Sequence, residues 1–204
     1  DAWFYTLEED VLRAGKAQGG DGSALLAETN RLMEQRLNDI SRAAPSFAAA
    51  LRGYRETLAQ GDMATAEGLI AWVSGQPNVA AAVRRQANVK GDVDHFTALS
   101  FLQGLLLVLR DSGHAGLVIV SDEVETLQRV RSDARNKALN ALRQWIDELD
   151  AGRFPGLYLL ITGTPAFFDG PQGISKLPPL AQRLHTDFTT ESRFDNPRAP
   201  QIRL

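Results

Sequence analysis

The 204-residue sequence contains no cysteine, which excludes disulfides, thiolate nucleophiles and cysteine-bound zinc and is compatible with a reducing compartment. Histidine is scarce. His95, His114 and His185 are scattered without the spacing of a metal set, so they read as satisfied or exposed side chains rather than ligands. Apolar runs are short as well. The longest strongly apolar stretch, Leu105-Leu106-Leu107-Val108-Leu109, falls well below the roughly 20 residues that cross a bilayer, and no signal peptide opens the chain. The expected location is therefore the cytoplasm, with no membrane partner. Basic charge is not in excess either. With 22 Lys and Arg against 25 Asp and Glu, the net charge is -3, so DNA as a partner has no support from charge. Internal repeats and low-complexity segments are lacking too. What remains is an ordinary globular composition, 44% hydrophobic and 23% charged, long enough to bury a substantial core in one large domain or two small ones.

The first ninety residues read as helices joined by short turns. Between Ser23 and Ala44 the positions Leu25, Thr29, Leu32, Met33, Leu37 and Ile40 recur at helical spacing, with Ser23 placed to cap the start and Pro45 to stop the end. A second helix from Ser46 to Gly61 carries Phe47, Leu51, Tyr54 and Leu58, and a third, capped by Asp62, carries Leu69, Ile70, Trp72 and Val73 before Gly75 and Pro77. Such a run predicts a small helical bundle or helical hairpins whose stripes are core. Asp92 or Asp94 caps a further helix through Phe96, Leu99, Leu102, Leu105, Leu106 and Leu109, ended by Ser112 and Gly113.

The pattern then changes. Residues 117–121 read as a strand, 133–150 as a helix with Leu139, Leu142, Trp145, Ile146 and Leu149 inward, and 157–162 as a second strand. Parallel neighbours need a crossover, usually a helix, so this order predicts a parallel sheet with strands buried on both faces. Five Gly or Pro residues between Phe168 and Pro179 mark a loop, a short helix follows near 180–185, and the tail from Asn196 looks irregular.

The chemistry gathers at the strand ends. Leu117-Val118-Ile119-Val120-Ser121 runs into Asp122-Glu123 and resembles a Walker B strand, in which an aspartate holds hydrated Mg²⁺ and the following glutamate faces the attacking water. The same residues also read as a helix start, where serine caps and acids complement the dipole. Leu157-Tyr158-Leu159-Leu160-Ile161 ends in Thr162-Gly163-Thr164-Pro165. In AAA+ ATPases the strand after Walker B ends in a polar residue, sensor 1, that contacts the γ phosphate or the water; Thr162 is the first candidate and Thr164 the second. As an ordinary turn, Thr164 would simply be extended before its proline. Arg183 lies where such domains place an arginine finger, or else is a solvated arginine on a short helix; Arg193 and Arg198 are weaker candidates. Glu125 and Arg129 form an i, i+4 pair of the kind exposed helices carry.

One element of a working ATPase is not in the sequence. The phosphate-cradling loop G-x-x-x-x-G-K-[ST] is absent: Gly15-Lys16 is followed by Ala17, and Gly19-Gly20-Asp21-Gly22 has no adjacent lysine. With Asp1 in place of an initiator methionine and an abrupt stop at Leu204, the expectation is a fragment cut after the Walker A unit and before a C-terminal lid.

Four stretches carry a family resemblance: 116–127 (Gly-Leu-Val-Ile-Val-Ser-Asp-Glu-Val-Glu-Thr-Leu), 140–147 (Asn-Ala-Leu-Arg-Gln-Trp-Ile-Asp), 160–169 (Leu-Ile-Thr-Gly-Thr-Pro-Ala-Phe-Phe-Asp) and 177–184 (Leu-Pro-Pro-Leu-Ala-Gln-Arg-Leu). From Phe96 to about Leu204 the chain resembles the P-loop ATPases of BREX phage-defence loci, the BrxC/BrxD group. The resemblance implies an α/β protein: a partial parallel-sheet, AAA+-like P-loop core over 92–204, with a large all-helical segment over 1–91 inserted between Walker A and Walker B. It implies ATP and Mg²⁺ as ligands, with Asp122 on the metal, Asp122 and Thr164 contacting the nucleotide, and Glu123, Thr162 and Arg183 catalytic. It further implies a bacterial cytosolic protein acting as a homo-oligomer with other defence proteins, using ATP hydrolysis as a switch or motor. Lacking Walker A, these residues alone are expected to be inactive. Two other readings compete: a non-enzymatic helical scaffold with a degenerate nucleotide fold, and a receiver-like domain, the latter weakened because no separate phosphorylatable aspartate and lysine are placed for it.

Overall fold

A computed structural model of the chain describes residues 2–16, 22–185 and 200–202; Gly19 to Asp21, Arg193, Arg198 and the tail from Asn196 to Arg198 lie outside them. Packing divides the chain into two units, Asp1–Leu117 and Val118–Leu204.

The first unit is helical: α1 (Ala2–Arg13), α2 (Gly22–Ala43), α3 (Pro45–Ala59), α4 (Met63–Val73), α5 (Ala81–Gln86) and α6 (His95–Asp111). Its starts follow local chemistry. Asp62 accepts the Thr65 N–H at 3.0 Å and Asp94 the Thr97 N–H at 2.8 Å, each satisfying an amide with no partner inside its helix. Pro45 takes the first position of α3, where a missing N–H costs nothing. One core joins Trp3, Phe4 and Leu7 of α1, Met33, Leu37 and Ile40 of α2, Phe47 of α3, Leu69 and Trp72 of α4 and Phe101 of α6.

The stripes read from the sequence hold for α2, where Thr29, Met33, Leu37 and Ile40 are buried. They shift for α3 and α6. On α3 the buried side chains are Phe47, Ala48, Ala50 and Thr57 beside Gly53, while Leu51 and Tyr54 are only partly covered. On α6 Phe101, Gly104 and Leu106 face inward, leaving Phe96 71% exposed and Leu105 38%. Small residues account for the shift: a Cβ on Gly104 would lie 2.6 Å from the Phe47 ring and 3.3 Å from Ala44 Cβ, so the backbones approach through glycine and alanine rather than through leucine. The same helix is tied down by Asp111, which accepts Trp3 Nε1–H of α1 at 2.7 Å and pairs with Arg36 of α2 at 3.2 Å. Thus α6 packs with the helices before it, within the unit that ends at Leu117.

The second unit contains β1 (Leu117–Ser121), a 3-10 turn (Val124–Arg129), α7 (Ser132–Asp150), β2 (Leu157–Ile161), α8 (Pro165–Asp169), a short 3-10 turn (Ile174–Lys176) and α9 (Pro178–Arg183). The strands pair as a two-stranded parallel sheet joined through α7. Val124, Leu139, Phe167, Ile174 and Leu180 form its core, with Leu142, Ile146 and Ile161 against them. Burial on both sheet faces is not found. Leu117, Ile119, Leu157 and Leu159 are half-buried, whereas Val118 is 62% exposed, Val120 57%, Tyr158 65% and Leu160 43%. The described elements of this unit supply one apolar layer, so the alternate face of an equally apolar strand remains open. Among the described residues no helix is long and apolar enough to cross a membrane.

Candidate functional site

The ladder between the strands sets the geometry of their ends. Thr162 N–H donates to the Ser121 carbonyl at 3.0 Å, and the Thr162 carbonyl accepts from Val124 N–H at 3.2 Å. A regular parallel ladder would join one residue to neighbours two apart, but these two are three apart. Glu123 absorbs the extra residue by taking a left-handed conformation, φ 53° and ψ 44°, which is uncommon outside glycine. Such an interruption ends pairing and re-aims side chains. Asp122 and Glu123 stand exposed at this break.

Two of the predicted residues meet here. The Thr162 hydroxyl donates to Asp122 Oδ1, which also accepts the Glu123 N–H at 2.9 Å. The acid after β1 and the hydroxyl after β2 therefore share one locus at the carboxyl ends of adjacent parallel strands, where ligands of open α/β sheets bind. Among the described residues no three His, Asp or Glu gather into a metal cage. One carboxylate beside a hydroxyl is instead the sparse donor set that suits Mg²⁺, which keeps several waters and takes its remaining oxygens from phosphate.

A family model described as BREX system ATP-binding protein BrxC/D matches residues 1–204. The chain belongs to the BrxC/D family of BREX system ATP-binding proteins. No curated protein and no solved structure matches it. The BrxC/D match takes in the helical unit as well as the strand unit.

The remaining predicted residues of this BrxC/D chain lie differently. Thr164 is extended, φ -79° and ψ 157°, and precedes Pro165 as the cap residue of α8 with no side-chain capping bond; its carbonyl accepts the Phe167 N–H at 2.9 Å. Arg183 donates through Nε to Asp147 Oδ1 and through Nη1 to the Pro179 carbonyl at 2.6 Å. Asp147 also takes Arg143 at 2.6 Å, so Arg183 is held in an α7–α9 ion-pair network and makes no described bond to Asp122, Glu123 or Thr162.

Glu125 departs from the expected helical pair with Arg129. Its segment is a 3-10 turn, in which residues three apart eclipse rather than four, and its Oε2 accepts the Thr164 N–H at 3.3 Å. Gln128 donates to the Ala166 carbonyl at 2.8 Å. Nothing in the spacing of 125 and 128 marks them as partners of 164 and 166; the signal was only a further acid two positions after Asp-Glu.

Proposed function

We propose that this chain carries the water-activating side of an AAA+-like P-loop ATPase site, in a BREX defence protein that uses ATP hydrolysis as a switch or motor. The observation that carries this reading is the Thr162 hydroxyl on the Asp122 carboxylate at adjacent parallel strand ends, in a member of an ATP-binding family. In this reading residues 92–204 contribute the Walker B and sensor 1 strands, and the helices of 1–91 are an insert between Walker A and Walker B.

Asp122 holds the cation; Mg²⁺, when bound, neutralises charge on the β and γ phosphates. Glu123, placed outside the regular ladder by its left-handed backbone, orients the attacking water and takes its proton. Thr162, whose hydroxyl rests on Asp122, would contact the γ phosphate or the water, and Thr164 is the second polar group on the same loop. Arg183 serves as an arginine finger toward a neighbouring subunit only after leaving Asp147, so this role goes with a homo-oligomer in which α9 shifts. The site is cytoplasmic and works with other defence proteins. G-x-x-x-x-G-K-[ST] is not among these 204 residues, so in this reading the phosphate grip would come from residues outside them and this stretch alone would be inactive.

The test is Glu123→Gln in the full-length protein. Loss of a general base costs about 10²- to 10⁴-fold in turnover, with ATP still bound. Hydrolysis at the wild-type rate would remove Glu123 from the chemistry and with it this reading.

A further inference from the structure

We propose that Glu125 is a positioning residue: its carboxylate latches the Thr162-Gly163-Thr164 loop to the turn after Asp122 and so sets where the Thr162 hydroxyl stands. The proposal rests on the ATPase reading above and adds to it a residue outside the Asp-Glu pair.

Three bonds cross from the turn after β1 to the segment after β2. Val124 N–H reaches the Thr162 carbonyl, Gln128 Nε2 the Ala166 carbonyl, and Glu125 Oε2 accepts the Thr164 N–H. The last is the longest of the three, at 3.3 Å, and the one in which a side chain supplies the acceptor for a backbone amide of the loop. The amide it holds lies two residues along from Thr162, whose own carbonyl takes the Val124 N–H. The packing around it leaves no slack. A Cβ on Gly163 would lie 2.8 Å from Val124 Cγ2, 3.3 Å from Glu125 Oε2 and 3.3 Å from the Phe168 ring, so the absence of a side chain at 163 lets the carboxylate reach the amide. Val124 and Phe167, on either side of the latch, are buried at 7% and 0% exposure. Glu125 itself is half-buried and has no described bond to Asp122 or to the Thr162 hydroxyl. It therefore acts through the loop.

A displacement of about 1 Å at a reacting group can cost on the order of 100-fold in rate, and an unlatched loop permits displacements of that size. The test uses the full-length protein for turnover and the 204-residue chain for amide exchange. Glu125→Ala is expected to lower kcat about tenfold or more while the KM for ATP stays within about twofold of wild type. Glu125→Gln, whose amide oxygen still accepts the Thr164 N–H, is expected to restore most of that loss. In the 204-residue chain, Glu125→Ala should speed Thr164 amide exchange about tenfold or more, with Glu125→Gln close to wild type.

Wild-type kcat in Glu125→Ala, with Glu123→Gln inactive, would overturn the positioning role while leaving the ATPase reading intact. A Glu125→Gln variant as slow as Glu125→Ala would also overturn it, because the charge or proton of Glu125 would then matter rather than its hydrogen bond. Wild-type turnover in Glu123→Gln would overturn the ATPase reading and the positioning role built on it. Unchanged Thr164 exchange in Glu125→Ala would dispose of the latch itself, whatever the turnover.

Discussion

Thr29 and Thr57 are both buried in the helical unit, at 1% and 0% exposure, yet their hydroxyls fare differently. Thr57 donates to the Gly53 carbonyl at 2.9 Å and lies 3.0 Å from that of Tyr54, whereas Thr29 Oγ1 has no hydrogen-bond partner among the described residues. An unsatisfied buried hydroxyl keeps its desolvation cost, about 1 kcal/mol or more, while a satisfied one recovers it. Thr29→Val is therefore expected to raise the urea midpoint, by about 1 kcal/mol in stability, and Thr57→Val to gain nothing. Equal gains from both would mean that burial of a methyl, not the missing bond, sets the sign. The same scale divides what the sequence reveals about the site. Asp122 and Thr162 were legible because each ends an apolar run whose type and order carry meaning, and the structure joins them. Glu125 was not, because its partner is a backbone amide 39 residues away, and an amide leaves no mark on side-chain spacing.

Elements were legible where a single local interaction decides them. Asp62 and Asp94 each precede a helix and each accepts an amide three residues on, a contact written entirely within four residues of sequence. Inward faces of α3 and α6 were less so, since they depend on which neighbour approaches closest, and there Ala44, Phe47 and Gly104 decide the matter instead of the leucines. The caps carry a pH signature. Thr65, through its side chain and then its amide, holds the Asp62 carboxyl below its ordinary value of 3.8, and Thr97 does the same for Asp94. A carboxylate whose folded pKa is depressed contributes stability that is fully present above the unfolded value and is lost as pH falls through the folded one. Replacing either aspartate by alanine should thus lower the thermal midpoint at neutral pH. The gap from wild type should close as pH is taken below 3.8, where the wild-type caps become protonated. A gap that persists unchanged in acid would show that the aspartates matter through something other than their charge.

For the whole molecule, the two units bury very different amounts. Among the described residues fifteen buried side chains form the helical core and five the core of the second unit, and the open face of Val118, Val120, Tyr158 and Leu160 shows why the continuous apolar runs were readable as strands but not as strands covered on one side only. Periodicity reports what a strand is fit to bury, and the packing of the described residues covers one face of each strand. The consequence for nucleotide is direct. In P-loop proteins affinity for ATP comes mostly from backbone amides and a lysine around the phosphates, whereas Asp122, Glu123 and Thr162 are one hydroxyl and two carboxylates at a strand end, which in the proposed reading would give one cation contact and a few polar groups. A calorimetric titration of the 204-residue chain with ATP and Mg²⁺ should accordingly show a Kd no tighter than about 1 mM, the level at which binding is worth only about 4 kcal/mol. Asp122→Ala should abolish whatever binding is seen. Micromolar binding that survives Asp122→Ala would place the nucleotide somewhere other than these strand ends, and would mean that the grip on phosphate lies within these residues in a form unlike the lysine loop.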